Sequence, residues 1–140
     1  MPRFDDALQA WLERFLATHA GAAGTVHVRK GELLEIAAAV NIPPKVVEVT
    51  ATIPKGRGMA GLAWERDKPV STCNLATDGT GDVRPGAKAV DAKAAAALPV
   101  HDRGGELFAV VGIAWPDERD VDDATLAAIT RAASDLPGAG

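Results

Sequence analysis

Apolar residues recur at spacings of three and four through the first segment: Phe4, Leu8, Trp11, Leu12, Phe15 and Leu16. That period predicts an amphipathic helix over about Arg3 to Thr18, stopped by Gly21-Ala22-Ala23-Gly24. Three aromatic side chains lie on this one stripe in a chain that has few. The stripe must therefore cover something large: a sheet face, a partner helix, or both.

From Thr25 the period changes to two. Thr25-Val26-His27-Val28-Arg29 reads as a strand, Lys30-Gly31-Glu32 as a turn, and Leu34 to Val40 as the returning strand of a hairpin. Asn41-Ile42-Pro43-Pro44 breaks it, because proline cannot donate to a ladder. Val46 to Ala51 is either further extended chain or a helical turn after the prolines. A glycine-punctuated loop, Ile53 to Gly58, leads into a short helix over Met59 to Arg66. Pro69 to Leu75 reads as a strand, Asp78 to Pro85 as a loop, and Gly86 to Lys93 as a stretch able to hold a helical turn.

The last third is the clearest. Ala96 to Val100 is a strand, and Asp102-Arg103-Gly104-Gly105 a hairpin turn. Leu107 to Trp115 is apolar at both parities, so it should lie centrally in the sheet, covered on both faces. Asp120 or Asp122 caps a closing helix with Leu126, Ile129, Ala133 and Leu136 on its apolar side. The order helix, hairpin, variable middle, hairpin, helix indicates an α+β fold: a central antiparallel sheet of about five or six strands. We expect one domain over 1–140, with a leading helix at 1–20, a sheet and pocket region at 25–116, and a closing helix at 120–136.

Composition narrows the classes. Lys plus Arg is 15 against 19 Asp plus Glu, a net charge of −4. The basic residues are scattered, which argues against nucleic-acid binding. A 47% hydrophobic content supports a folded core rather than a disordered tail. The single cysteine, Cys73, excludes an intrachain disulfide and suits a reducing compartment. No apolar run approaches the ~20 residues of a membrane span, and the start lacks the pattern of a signal peptide. A soluble, cytoplasmic protein without membrane attachment is expected.

Three stretches in order resemble the GAF family. They are Ile53-Pro54-Lys55-Gly56-Arg57-Gly58-Met59-Ala60-Gly61, then Glu65-Arg66-Asp67-Lys68-Pro69-Val70, then the hairpin from Ala97 to Ala114. The resemblance covers roughly Thr25 to Leu136. It implies terminal helices on one sheet face, often paired with a second copy. It also implies a pocket on the other face, under the short helix and the variable loop. Gly58 and Gly61 would let that helix approach the sheet. Gly112 would leave a gap in the central strand, able to seat a ligand or a helix backbone.

The chemically defined branches of the family can be tested one by one. Free methionine sulfoxide reductases resemble GAF domains with a cysteine in the glycine-bounded helix, where this chain has Ala60. Their other reactive cysteines precede the last hairpin, where this chain has Ala89-Val90-Asp91. Sulfoxide reduction through a disulfide needs an attacking and a resolving thiol. The Asn-Lys…Phe…Asp-Glu pattern of the cyclic-nucleotide branch has no counterpart here. Cys73 is followed by Asn74 rather than the His common beside a bilin thioether, and reads first as a small buried hydrophobe. His19, His27 and His101 fall at a helix end, an outward strand position and a hairpin end, so surface roles are expected for them rather than haem ligation. No cofactor is expected to be covalently bound.

No Cys/His cluster at ligand spacing suggests a metal. Ser71 and Ser134 lack a neighbouring base, so no catalytic residue is assigned. Asp5, Asp6, Glu13, Asp117, Glu118 and Asp120 read as helix-capping and solvating groups. The candidate pocket wall is Met59, Leu62 and Trp64, then Cys73 and Asn74, with Arg84, Lys88 and Asp91 as possible polar contacts. Arg84 and Lys88 could meet an anion, although loop cations mostly face solvent, and Trp64 reads first as core. The resulting expectation is a non-catalytic regulatory domain, sensing a small molecule or relaying a signal, dimeric through its terminal helices. A protein-interaction domain with a closed pocket is the alternative, and a reductase-like enzyme the third reading.

Overall fold

The computed structural model describes residues 4–72, 94–117 and 121–139. The elements in chain order are α1 (Asp6–Thr18), β1 (Ala23–Lys30), β2 (Leu33–Val40), α2 (Pro44–Val49), β3 (Thr52–Pro54), α3 (Gly58–Arg66), β4 (Val70–Thr72), β5 (Ala94–His101), β6 (Leu107–Trp115) and α4 (Asp123–Ala132). A 3-10 turn, Ala133–Asp135, follows α4.

The strands form one six-stranded sheet in the order β3-β2-β1-β6-β5-β4, with every pairing antiparallel. The uninterrupted apolar run Leu107–Trp115 takes the expected place, with β1 on one side and β5 on the other. Both neighbours satisfy its ladder; one of its faces is covered by the terminal helices and the other in part by α3. The ambiguous segment after the prolines resolves as a helix. Pro44 stands at its first turn, where the missing N–H costs nothing.

One face of the sheet carries α1 and α4. Leu8, Trp11, Leu12, Phe15 and Leu16 of α1 pack with Leu126 and Ile129 of α4 on Val26, Leu98, Val111 and Ile113. The aromatic stripe is thus buried inside the domain: Trp11 stacks on Phe15 with ring centroids 4.8 Å apart, and no partner helix is needed to cover it. The indole N–H groups are also satisfied, Trp11 donating to Asp135 Oδ1 at 2.9 Å and Trp115 to the His19 carbonyl at 3.0 Å.

The helix starts are set by carboxylates. Asp5 accepts from the Leu8 amide at 3.0 Å, which starts α1 at Asp6 rather than at Arg3. Asp122 accepts from Thr125 at 2.7 Å and caps α4. The hydrogen bonds from Thr125 hold the Asp122 carboxyl below its ordinary value. α1 is further tied to the edge of β2. The Gln9 carboxamide donates to the Ala39 carbonyl at 2.7 Å and accepts from the Ala39 amide at 3.0 Å.

The opposite face carries a smaller core of Leu34, Ile53, Ala63, Trp64, Val70, Ala97, Leu107 and Val110 beneath α3. The expected glycine contact takes a different form here. A Cβ at Gly61 would sit 2.6 Å from the Pro54 carbonyl and 3.1 Å from the Gly56 amide. The close approach is therefore between α3 and its own preceding loop, at the end of edge strand β3, rather than between α3 and the sheet.

Candidate functional site

The second sheet face is only partly covered by α3. Between α3 and α2 lies a cavity of about 150 Å³, partly open among the described residues. Its floor exists because the strands are built there from small side chains: Ala95 and Ala97 of β5, Gly112 and Ala114 of β6, and Thr25 of β1. One rim is Ile42, Val46 and Thr50, on and around α2, with Ile53 of β3. The other is Gly58, Met59 and Ala60, the first turn of α3. A space of this size is roughly what a benzene-sized guest occupies in an apolar protein cavity.

Gly112 occupies the floor as anticipated, but its missing side chain serves a neighbour. A Cβ there would lie 2.8 Å from Thr25 Oγ1, so the glycine makes room for that hydroxyl across the β1–β6 pair.

His27 is the chemically distinctive lining residue. It is buried, with 3% of its surface exposed, which corrects the expected outward strand position. The alternation Thr25, His27, Arg29 does place these residues on one face. That face is roofed by α2 near His27 rather than open to water. One ring nitrogen, Nε2, lies 2.8 Å from the Thr50 carbonyl. A carbonyl can only accept, so Nε2 carries the proton and Nδ1 presents a lone pair. Nδ1 is buried and has no hydrogen-bond partner among the described residues. Burial drives the ring pKa down to about 4, outweighing the opposing effect of the bond to Thr50, so the imidazole is neutral at physiological pH.

Of the expected wall, Met59 lines the cavity; Leu62 and Trp64 do not. Both side chains belong to the α3 side of the smaller core, Trp64 buried within it and Leu62 packed against it. Arg29 and Lys55 each stand 5.5 Å from the Trp64 ring centroid, so that indole is engaged with cations rather than with the cavity. Cys73, Asn74, Arg84, Lys88 and Asp91 lie outside the described residues. His101 is at the surface as expected, bonded to Asp67. The residues that sequence reasoning missed are Thr25, His27, Ile42, Val46 and Thr50. Their signal was the polar side of β1 together with the helix-or-strand ambiguity after Pro44.

Among the described residues no three His, Cys, Asp or Glu side chains gather as a metal site, and no helix is long and apolar enough to cross a membrane.

The family model described as "GAF domain" matches residues 3–136. No curated protein matches the sequence. Among solved structures, the GAF domain of a phosphoenolpyruvate-protein phosphotransferase from Coxiella burnetii is similar at a TM-score of 0.77 and 18% identity, over 99% of this chain and 83% of that one. Type II free methionine-R-sulfoxide reductase from Thermoplasma acidophilum is similar at 0.70 and 16%, over 92% of this chain and 88% of that one. Free methionine-R-sulfoxide reductase from Neisseria meningitidis, solved with its substrate, is similar at 0.73 and 14%, over 92% and 72%. At these identities the likeness shows a shared fold.

Proposed function

The chain belongs to the GAF family, and on that premise we propose that it is a non-catalytic regulatory domain that senses a small molecule. The observation that supports this reading is the cavity between α2 and α3, floored by Ala and Gly and bordered by the buried His27. A protein that only needed a scaffold would fill such a space with larger side chains. A ligand bound there touches both α2 and α3, so its occupancy would bias the placement of two helices against the sheet. The test is a thermal-shift screen against a chemically broad set of small molecules. A compound that raises the melting temperature in proportion to its concentration supports sensing; a flat response across the whole set removes it.

A reductase is the competing reading because free methionine-R-sulfoxide reductases are among the similar structures. The cavity-lining turn of α3 carries Ala60, and the whole chain has one cysteine. A disulfide cycle within one chain therefore has no second thiol. Incubation with free methionine-R-sulfoxide and a thiol reductant should yield no methionine above the protein-free rate. Catalytic turnover would overturn the non-catalytic half of the proposal.

We also propose pairing of two copies through the outer faces of α1 and α4. Ala7, Ala10 and Ala17 are exposed on α1, with Ala124, Ala127 and Ala128 on α4, and these small side chains allow close helix approach. Light scattering across a dilution series reads the mass directly, and a monomer throughout would end this part.

A further inference from the structure

We propose that residues 42–66, with α2, β3 and α3, form one strap that lifts from the second sheet face as a unit while the sheet and the α1–α4 core stay folded. The inference concerns a motion built into the fold and holds whether or not the cavity has a ligand, so its failure leaves the sensing reading standing.

The strap is knit within itself. Its middle is β3, three residues long. The Pro54 carbonyl accepts from the Arg57 amide at 3.2 Å, and the Gly56 amide donates to the Gly61 carbonyl at 2.9 Å. Gly61 also sits too close to the Pro54 carbonyl for any side chain. These contacts lock α3 to β3. On the other side a single residue, Ala51, separates Thr50 at the end of α2 from Thr52 at the start of β3. A displacement of β3 therefore carries both helices with it.

Its attachment to the rest of the domain is thinner. The strap buries the side chains of Val47, Ile53, Ala63 and Trp64, whereas α1 alone buries Leu8, Trp11, Leu12, Phe15 and Leu16. Among the described residues, its ties to the sheet run along the β1–β2 side. β3 pairs with β2 only at Leu33 to Glu35, the Ile36 amide donates to the Ala51 carbonyl at 2.8 Å, and His27 donates to the Thr50 carbonyl at 2.8 Å. The Arg29 guanidinium lies over the Trp64 ring. Beneath the strap is the cavity, whose walls forgo the contacts that a filled core supplies. Left-handed residues stand just outside both ends: Asn41 at φ 57° and Asp67 at φ 54°. Asn and Asp visit that conformation readily, and such element-ending positions can absorb a hinge rotation in a few dihedrals. A unit held by few buried side chains and one short ladder opens before the whole domain does. Because α2 and α3 supply the two rims of the cavity, that opening would uncover its Ala and Gly floor.

Amide hydrogen exchange of the full chain, measured by NMR in graded urea below the unfolding transition, tests the strap. Four amides report on it: Thr50, Gly56 and Gly61, bonded within the strap, and Ile36, a β2 amide bonded to it. Val110 and Val111 on β6 report on the whole domain. The expected result is that the four converge on one urea dependence, shallower than that of β6, and exchange at least about tenfold faster than Val110 and Val111. Ile129→Val trims the α1–α4 core. It should speed exchange at Val110 and Val111 several-fold and leave the four strap amides unchanged, because Ile129 stays packed when the strap lifts. If the variant does not fold, the urea series of the wild-type protein decides alone. Strap amides that exchange at the β6 rate, or that accelerate with it in Ile129→Val, open only by global unfolding and overturn the inference. It is equally overturned if Thr50 and Gly61 follow different urea dependences, since α2 and α3 then open separately, or if the four show none, since that is local fraying.

Discussion

His27 on β1 and Thr50 at the end of α2 are joined by a 2.8 Å hydrogen bond between residues 23 apart in the chain. It ties the floor of the cavity to its rim. α2 is six residues long, and Val47 is its buried side chain. A helix that short is not stable by propensity, so its position depends on such tertiary ties. Replacing His27 with Ala removes the donor, strands the Thr50 carbonyl and enlarges the space. We expect a loss of about 2 kcal/mol in urea denaturation. Hydrogen exchange should accelerate at Val47 and Thr50 more than in β6.

Acid should expose the same residue. The His27 pKa is about 4 in the folded protein against an ordinary 6.5. Between those values the unfolded chain binds a proton that the folded one refuses, so stability falls as pH falls. The contribution is fully present above about pH 6.5, declines through the window, and levels below about pH 4. The difference in pKa corresponds to about 3 kcal/mol at the acid end. Denaturation midpoints measured from pH 7 to pH 4 should follow this curve in the wild-type protein. They should follow it less steeply in His27→Phe, leaving the slope due to carboxylates.

The burial of this histidine shows what the sequence pattern can and cannot carry. The extent of β6 follows from Leu107–Trp115 being apolar at both parities, and the structure reproduces those bounds, whereas β5 runs Ala94–His101 where Ala96 to Val100 was expected. The capping role of Asp122 and the apolar side of α4 follow from equally local chemistry. The cavity does not. Alternation along Thr25-Val26-His27-Val28-Arg29 separates two faces but cannot distinguish water from a roof built by residues 42–50. A polar side chain facing a cavity and one facing solvent look alike in the pattern. Trp64 shows the converse: near the expected site in sequence, it turns into the smaller core, because helix period carries Met59 and Trp64 to different surroundings. The gap at Gly112 is visible in the sequence, but not that a threonine hydroxyl fills it.

Gln9 offers a test of how α1 is held. Its amide makes both hydrogen bonds to the Ala39 peptide on the edge of β2. Gln9→Ala should cost about 1 kcal/mol and Gln9→Glu at neutral pH a similar amount, because a carboxylate can accept from the Ala39 amide but cannot donate to its carbonyl. Thermal melts at neutral pH compare the two. Protonating the introduced carboxylate of the Gln9→Glu variant at low pH restores one donor, so its deficit relative to the wild-type protein should shrink there.

Gly61 in α3 and Gly112 on the cavity floor respond oppositely to the same substitution. Gly61→Ala would put a Cβ 2.6 Å from the Pro54 carbonyl, a backbone atom in a paired strand, and neither side can yield without displacing α3 from β3. We expect a loss of about 2 to 3 kcal/mol. Gly112→Ala would put its Cβ 2.8 Å from Thr25 Oγ1, the end of a side chain that can rotate about χ1. The cost should be about 1 kcal/mol or less, with the fold intact. The rotated hydroxyl and the new methyl both occupy the floor beside His27. Gly112→Ala should therefore weaken any cavity ligand several-fold while barely moving the denaturation midpoint, whereas Gly61→Ala lowers the midpoint outright. If Gly112→Ala proved the more destabilising of the two, then Thr25 would be held rigidly and the floor of the cavity would be a packed structural contact rather than adaptable space for a ligand.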